Sequence, residues 1–469
     1  MKRYEKLAYE IADMIKSGVL VPGERVPSVR QASKTFSVSP STVYQAYFLL
    51  ENRGLIRSRP RSGYFVCGQT KQKPPRNTPR SKSTTSTSVD VSELVFSVLG
   101  SVRDPDTVPL GSAFPSPSLF PIQRLAKSMA KATRLMDLHS LVADLPPGNQ
   151  ELRRQIAQRY AIAGVQAPLK ELVITNGALE ALNLCLQAVT SPGDHVAIES
   201  PAFYVSLQSL ERLKLKAVEI PLDSSGGMDL RVLADAMKKY PIRACWVMTN
   251  FQNPMGTSMP DAKKQELVSL LSRQHIPLIE DDVYSELYFD REPPKPAKAF
   301  DQEGYVMHCG SFSKSLAPGY RVGWAAAGRF AEKVERLRLM STLSASVPAQ
   351  SAIADYLQHG GFDRHLRKLR HSLEVQQNQM RASIDRHFPN DTRVSNPSGG
   401  YFLWLELPNN VDSLELFRLA LKNNISIAPG PIFSATRGFR NCIRLNYGNP
   451  WTAELDKAIE QLGALVNSL

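Results

Sequence analysis

Apolar residues recur in RYEKLAYEIADMIKSG at Leu7, Ile11, Met14 and Ile15, the i, i+4, i+7, i+8 spacing that lays one helical face on a core. Gly18 and the Pro22-Gly23 pair end that pattern. A second helix is predicted to begin near Ser28 in PSVRQASKTF, with Ser28 as its N-cap. A third, in SVSPSTVYQAYFLLENRG, places Val43, Ala46, Tyr47 and Leu50 on its buried side, with Ser39 or Ser41 as cap and Gly54 as terminator. The next run, LIRSRPRSGYFV, reads as two short strands around a basic turn. Residues 68–92 contain almost no large apolar side chain and are rich in Ser, Thr, Pro and Lys. Such a segment cannot bury enough surface to order itself, so it is expected to be a linker.

From about residue 170 the pattern changes to short apolar runs alternating with helical periods. ELVITNG precedes ALEALNLCLQAV, HVAIES precedes AFYVSLQSLERL, and ACWVMTN precedes DAKKQELVSLLSRQ; IPLIEDDVY and VMHCGS follow. Strands alternating with helices imply an α/β body with a mainly parallel sheet covered on both faces. Beyond about 325 come long helical patterns and the strand-like GGYFLWLEL, ISIAPG and CIRLNYG, a smaller α+β domain. The expected division is 1–67, 68–92, 93–325 (with an N-terminal arm) and 326–469. A chain of 469 residues exceeds one ordinary core.

Charge sharpens this division. Residues 1–89 hold 16 Lys/Arg against 5 Asp/Glu, whereas the remainder holds 41 against 39. A basic head on a nearly neutral body points to a polyanion bound by the head alone. The charged start MKRYEKLAYE is no signal peptide, and no apolar run is long enough to span a membrane. Five scattered cysteines without a C-x-x-C pair read as reduced thiols, with no metal site. The expected location is cytoplasmic.

The head, with two short helices joined by a tight turn and a strand pair behind them, has the layout of a winged helix-turn-helix. PGERVPSVRQAS, SPSTVYQAY, LENRGLI and RSGYFV, in that order and separation, resemble the DNA-binding domain of GntR-type bacterial regulators. By that resemblance Arg30, Ser41, Thr42, Tyr44, Arg61 and Gly63 face double-stranded DNA. Hydroxyls and helix N-terminal amides suit phosphates, and Arg or Tyr can reach base edges.

In the body, polar motifs cluster where strands end: TNGA, ESPAFY, TNFQNPMG, EDDVY and GSFSKS. Ligands of such sheets bind outside the carboxyl ends of the strands. Lys314 has no charged neighbour within five residues on either side, and a phosphate loop of the G-x-x-x-x-G-K-[ST] kind fails because His308 and Ser313 replace its glycines. The helix start at Gly177-Ala178, the hydroxyls of Ser311 and Ser313, and Arg321 suit a phosphate. Lys314 can condense with a carbonyl, and an acid of Glu280-Asp281-Asp282 can pair with a protonated ring nitrogen. Tyr204 offers an aromatic face. Phosphate, aldehyde and pyridine in one ligand make pyridoxal 5′-phosphate.

Residues 110–465 resemble fold-type I aminotransferases on these same motifs. The resemblance implies that Lys314 forms the internal aldimine and that Asp281, three residues before Tyr284, pairs with the pyridine nitrogen, with Glu280 and Asp282 as the other candidates. It implies that Asn253 and Tyr284 bond the ring oxygen, that Gly177, Ala178, Ser311, Ser313 and Arg321 hold the phosphate, and that Tyr204 covers the ring. Arg444 would take a substrate carboxylate, and Lys314, Asp281 and Tyr284 would be the catalytic set. One departure is plain: many relatives carry a tyrosine five residues before the glycine of G-x-x-x-L-R, and here Ala143 stands before Gly148. A GntR-type head joined through a linker to such a body is similar to MocR-type regulators. That resemblance implies a homodimer that binds operator DNA and senses an amino compound by aldimine exchange at Lys314. The alternative is a working aminotransferase with an accessory DNA-binding head.

Overall fold

The structure is a computed structural model describing residues 2–21, 23–59, 62–66, 73–75, 85–100, 106–136, 145–223, 226–359 and 361–469. Arg61, Ala143 and most of the expected linker lie outside the described residues.

The head is built from α1 (Arg3–Lys16), α2 (Val29–Thr35), α3 (Pro40–Asn52) and the antiparallel pair β1 (Ile56–Arg59) and β2 (Gly63–Val66). Its elements begin where local chemistry says they should. The Ser28 hydroxyl accepts from Gln31 N while the Gln31 side chain accepts from Ser28 N, closing a capping box on α2. Ser39, not Ser41, caps α3, accepting from Thr42 N, and Pro40 takes the first helical position. Leu7, Ile11 and Ile15 of α1 meet Val43, Ala46, Tyr47 and Leu50 of α3 in one core, closed by Ile56 and Val66 of the wing.

The body has an eight-stranded sheet in the order β3-β6-β5-β7-β8-β9-β10-β4. In chain order these are β3 (Ser86–Ser88), β4 (Leu172–Thr175), β5 (His195–Ser200), β6 (Lys216–Pro221), β7 (Ile242–Val247), β8 (Leu278–Asp281), β9 (Val306–Ser311) and β10 (Gly323–Ala326). Strands β6, β5, β7, β8 and β9 are parallel, while β10 and β3 run antiparallel to their neighbours. All four residues of β4 and β8 and all six of β9 are buried, as a sheet covered on both faces requires. A second, antiparallel sheet runs β11-β12-β14-β13, with β11 (Arg393–Val394), β12 (Phe402–Glu406), β13 (Ala428–Pro429) and β14 (Cys442–Asn446).

Two boundaries fall differently from the sequence expectation. The linker was expected to run to residue 92, yet Ser86–Ser88 already adds an antiparallel edge strand to β6. Edge pairing uses backbone groups, so a Ser-Thr-Ser run can join a sheet without apolar side chains. The arm at 106–116, expected with the large domain, lies along the small sheet. Val108 N donates to Asn424 O, Asn446 N to Leu110 O, and Ser116 N to Gly448 O. It thereby spans the gap between the two sheets and reaches Lys314.

Candidate functional site

Segments distant in the chain converge at the carboxyl ends of the parallel strands. Lys314 follows β9, and its Nζ donates to Ala113 O at 2.8 Å while lying 3.6 Å from the centre of the Phe114 ring. Burial, and then the neighbouring Arg444, lower its pKa to about 7, so a large share of the amine is uncharged near neutrality and nucleophilic.

The acidic triplet sorts itself by partners. Glu280 accepts from Thr249 Oγ1, from Ala297 N at 2.6 Å and from Lys298 N at 3.0 Å. Asp282 points to the other face of the sheet, where His308 Nε2 lies at 3.0 Å and Asn250 Nδ2 at 3.1 Å. Asp281, on the face of Lys314, keeps its buried Oδ1 without a hydrogen-bond partner among the described residues. Burial and the adjacent Asp282 raise its pKa to about 7. A buried carboxylate oxygen without a partner is costly unless a ligand supplies the donor.

Around these two, Asn253 Nδ2 donates to the Tyr284 hydroxyl at 3.4 Å, and Asn253 Oδ1 accepts from Arg444 Nη1 at 3.1 Å. Arg444, fully buried on β14, also donates to Gly111 O at 2.7 Å and Ser112 O at 3.2 Å. The expected carboxylate-binding fork is therefore engaged by carbonyls of the 106–116 arm. Tyr204 opens the helix Tyr204–Arg212 and is buried, its ring 4.6 Å from Phe203 and 5.9 Å from Phe433.

The anion-binding candidates form a cradle. Gly177, at φ 84°, caps the helix Ala178–Val189. Arg321 Nη1 donates to Ser313 Oγ at 3.3 Å and Nη2 to Asn176 O at 3.2 Å; Ser311 Oγ donates to Ser313 Oγ at 2.9 Å. Arg321 itself adopts the left-handed conformation at φ 53°, a strained backbone for a side-chain-bearing residue and common at ligand clamps. A Cβ on Gly177 would stand 2.7 Å from Arg321 Nη2, and one on Gly323 2.5 Å from the Gly177 carbonyl carbon. Gly323→Ala is therefore expected to push the Gly177 turn out of the cradle. It should weaken retention of a phosphate-bearing ligand by about tenfold while the head still binds DNA, as dialysis followed by absorption would reveal.

The opposed pKa shifts give a pH signature to the ligand-free protein. At Lys314 the folded chain holds fewer protons than the unfolded chain between about pH 7 and the ordinary lysine range near 10.5. Stability therefore rises with pH across that window. At Asp281 the folded chain holds more protons between the ordinary carboxyl range near 3.8 and about 7, so stability falls as pH rises there. Against Lys314→Met, the wild type is expected to gain up to about 1.4 kcal/mol per pH unit above neutrality. Urea midpoints of both proteins across that range measure it.

In the head, Ser41 and Thr42 hydroxyls both contact Ser39 Oγ, at 2.8 and 2.9 Å. Arg30, Ser41 and Tyr44 are exposed, and Gly63 turns into the wing at φ 96°. Phe48, 65% exposed on α3, is a surface aromatic. His308, given no role from sequence, is a buried link between Asp282 and Tyr160, whose hydroxyl lies 2.6 Å from His308 Nδ1. Nothing in VMHCGS distinguishes it from a strand residue packed by default. Phe114 and Ala113 were also missed as neighbours of Lys314, because the contact spans some two hundred residues.

Among the described residues there is no cluster of metal-binding side chains, and no helix is long and apolar enough to cross a membrane. Residues 3–66 match the bacterial regulatory proteins of the gntR family, and residues 116–462 match aminotransferase class I and II. The chain is 47% identical over 466 residues to the uncharacterized HTH-type transcriptional regulator YdcR of Escherichia coli (strain K12), covering 99% of each. It is 26% identical over 426 residues to the HTH-type transcriptional regulator NorG of Staphylococcus aureus (strain USA300), covering 90% of this chain and 95% of that one. A kynurenine aminotransferase structure from Pyrococcus horikoshii superposes with a TM-score of 0.75 at 27% identity, covering 80% of this chain and 94% of that one. Fold and site thus define a two-part protein, a winged helix-turn-helix on a body of the pyridoxal-phosphate-dependent class I and II aminotransferase fold. The chain belongs to the MocR-type GntR regulators, helix-turn-helix transcriptional regulators with an aminotransferase-like domain.

Proposed function

We propose that the body binds pyridoxal 5′-phosphate and that the regulator reads an amino compound at Lys314. The observation that carries this is the buried, partnerless Asp281 Oδ1 on the same face as an amine whose pKa is lowered to about 7. The residues fit the group. Gly177, Ala178, Ser311, Ser313 and Arg321 would hold its phosphate, Asp281 its ring nitrogen, Asn253 and Tyr284 its ring oxygen, and Tyr204 would line the ring. When bound, the cofactor supplies an aldehyde that condenses reversibly with amines and a protonated ring that withdraws electrons.

The chain's own residues do the rest. Asp281, whose Oδ1 has no partner among the described residues, would hold a proton on the ring nitrogen through that oxygen. Lys314 Nζ, close to half-charged at neutrality, can give up or accept a proton at the reacting carbon. Arg444 would exchange its carbonyl partners on the 106–116 arm for an incoming carboxylate, so ligand entry and arm position are linked. Arg30, Ser41, Thr42, Tyr44, Arg61 and Gly63 would contact operator DNA. Exposed Leu339, Met340 and Leu343, near the end of the helix Ala331–Thr342, support pairing with a second copy. Two heads on one dimer suit a pair of half-sites.

The proposal is tested by titrating candidate amino compounds into purified, cofactor-supplemented protein and following visible absorption. A saturable shift with no keto-acid product supports sensing. A shift with stoichiometric turnover to a keto acid supports the second reading, an aminotransferase with an accessory head, which the same complete residue set favours. Absence of any visible band overturns both.

A further inference from the structure

The head is not free of the body. The Tyr9 ring of α1 lies between two guanidinium groups, Arg53 at the end of α3, 4.8 Å from its centre, and Arg291 of the body, at 4.5 Å. Arg53 Nη2 also donates to the Tyr9 hydroxyl at 3.4 Å. On the long helix Phe362–His387, Glu374 Oε2 faces Arg53 Nε at 3.6 Å and the Asn378 amide donates to Arg53 O. The αL turn at Gly54 lets the chain pass there, since a Cβ at that position would already stand 3.1 Å from Asn378 Cβ.

These contacts surround space rather than a packed core. A cavity of about 970 Å³ opens between head and body. A second, of about 730 Å³, has Thr42, Gln45 and Phe48 of α3 on one side and His371 of the body on the other. Both clefts are open to solvent, so the head meets the body along a rim of polar and cation–π contacts, suited to release, and not through a packed apolar core. Thr42, Gln45, Leu49 and Arg53 recur at i, i+3, i+7 and i+11, a single stripe of α3. The N-terminal end of that stripe carries a residue assigned to DNA, and its C-terminal end is clamped to the body. A helix that reads DNA must enter the major groove with its N-terminal residues on the base edges. His371 of the body helix lines the same open space as Thr42 and Gln45, so a duplex seated on those residues would have to share that space with the body.

We propose that Arg291 together with the helix Phe362–His387 forms a docking surface for the DNA-binding head, and that the seated head is the low-affinity arrangement for DNA. The surface is joined by chain continuity to the candidate cofactor site, a link that rests on the function proposed above, whereas the docking does not. Asp281 and Tyr284 begin the segment, and Glu286 is held by Arg159 and by Arg370, whose Nε donates to Glu286 O at 2.7 Å. Tyr288 stacks under Arg370 at 3.7 Å, and Arg291 closes the run on Tyr9. A ligand that moves Asp281 or Tyr284 would therefore act on the seat of the head by differential contact, as coupling requires.

The test compares full-length wild type, Arg291→Ala, Arg291→Lys and the double variant Arg291→Ala/Asn378→Ala. The probe is a duplex enriched from a randomised pool by the wild type, with affinity measured at one salt concentration. Energy transfer between labels on head and body reports release. Arg291→Ala is expected to bind about fivefold tighter or more with lowered transfer, the double variant tighter still, and Arg291→Lys close to wild type because it keeps a cation over Tyr9. Equal or weaker DNA binding by the double variant, with its head released or not, overturns the proposal. The amine-dependent absorption change is recorded on the same samples. Its absence from the wild type would count against the sensing function and leave the docking result to stand or fall on affinity alone.

Discussion

Lys314→Ala is expected to abolish the visible absorption response to amino compounds and all amine dependence of DNA binding, with folding intact. The loss should be complete, because no other described amine faces Asp281. The substitution should cost little stability. The ammonium is disfavoured where it lies, by burial first and then by Arg444 and Arg321. Its single acceptor, Ala113 O, keeps the Tyr401 hydroxyl at 3.0 Å as a partner. Removing an ion from such a place relieves desolvation. The ligand-free variant should therefore unfold at the same urea concentration as the wild type or a higher one. A variant that loses its response by losing its fold would contradict this.

His308→Leu should have the largest effect on stability. The donor order that satisfies every group runs from Trp324 Nε1 to the Tyr160 hydroxyl, at 2.8 Å, from that hydroxyl to His308 Nδ1, and from His308 Nε2 to Asp282. Leucine leaves Asp282 buried with the Asn250 amide as its hydrogen-bond donor and the Lys264 charge nearby, and removes the acceptor of the Tyr160 hydroxyl. Taking the His308 donor from a buried carboxylate costs about 1–3 kcal/mol, and more where the group left behind is charged. The double variant His308→Leu/Asp282→Asn removes the uncompensated charge and should recover a good part of that loss. Urea unfolding of the four proteins gives the cycle. A cost below about 1 kcal/mol for the single variant would mean that Asp282 finds water or another partner.

Much of this architecture was legible because it is local. The spacing of Leu7, Ile11 and Ile15, the cap at Ser28, a serine cap at Ser39 or Ser41, and the continuous apolar runs of β4, β5, β7, β8 and β9 each announce their element within a dozen residues. Strand-end motifs then bring Asn253, Asp281, Tyr284 and Lys314 to one side of the sheet. What the sequence did not disclose depends on contacts between distant segments or on backbone pairing alone. β10, Gly-Trp-Ala-Ala, has too little apolar contrast to reveal a period, and β3 is three polar residues held by backbone bonds to β6. Phe114 against Lys314 and Arg291 on Tyr9 join residues separated by about two hundred and nearly three hundred positions. His308 lies on β9 and Asp282 directly follows β8, and only the register of β8 with β9 brings them together.

If the site at Lys314 controls the head, ligand and DNA must be linked. The most direct test measures affinity for a wild-type-enriched duplex at fixed salt while an amino compound that shifts the visible absorption is titrated. DNA affinity is expected to change with the same midpoint as the absorption, and duplex to shift the amine midpoint by the same factor in return. An absorption shift that runs to saturation with DNA affinity unchanged would contradict that linkage.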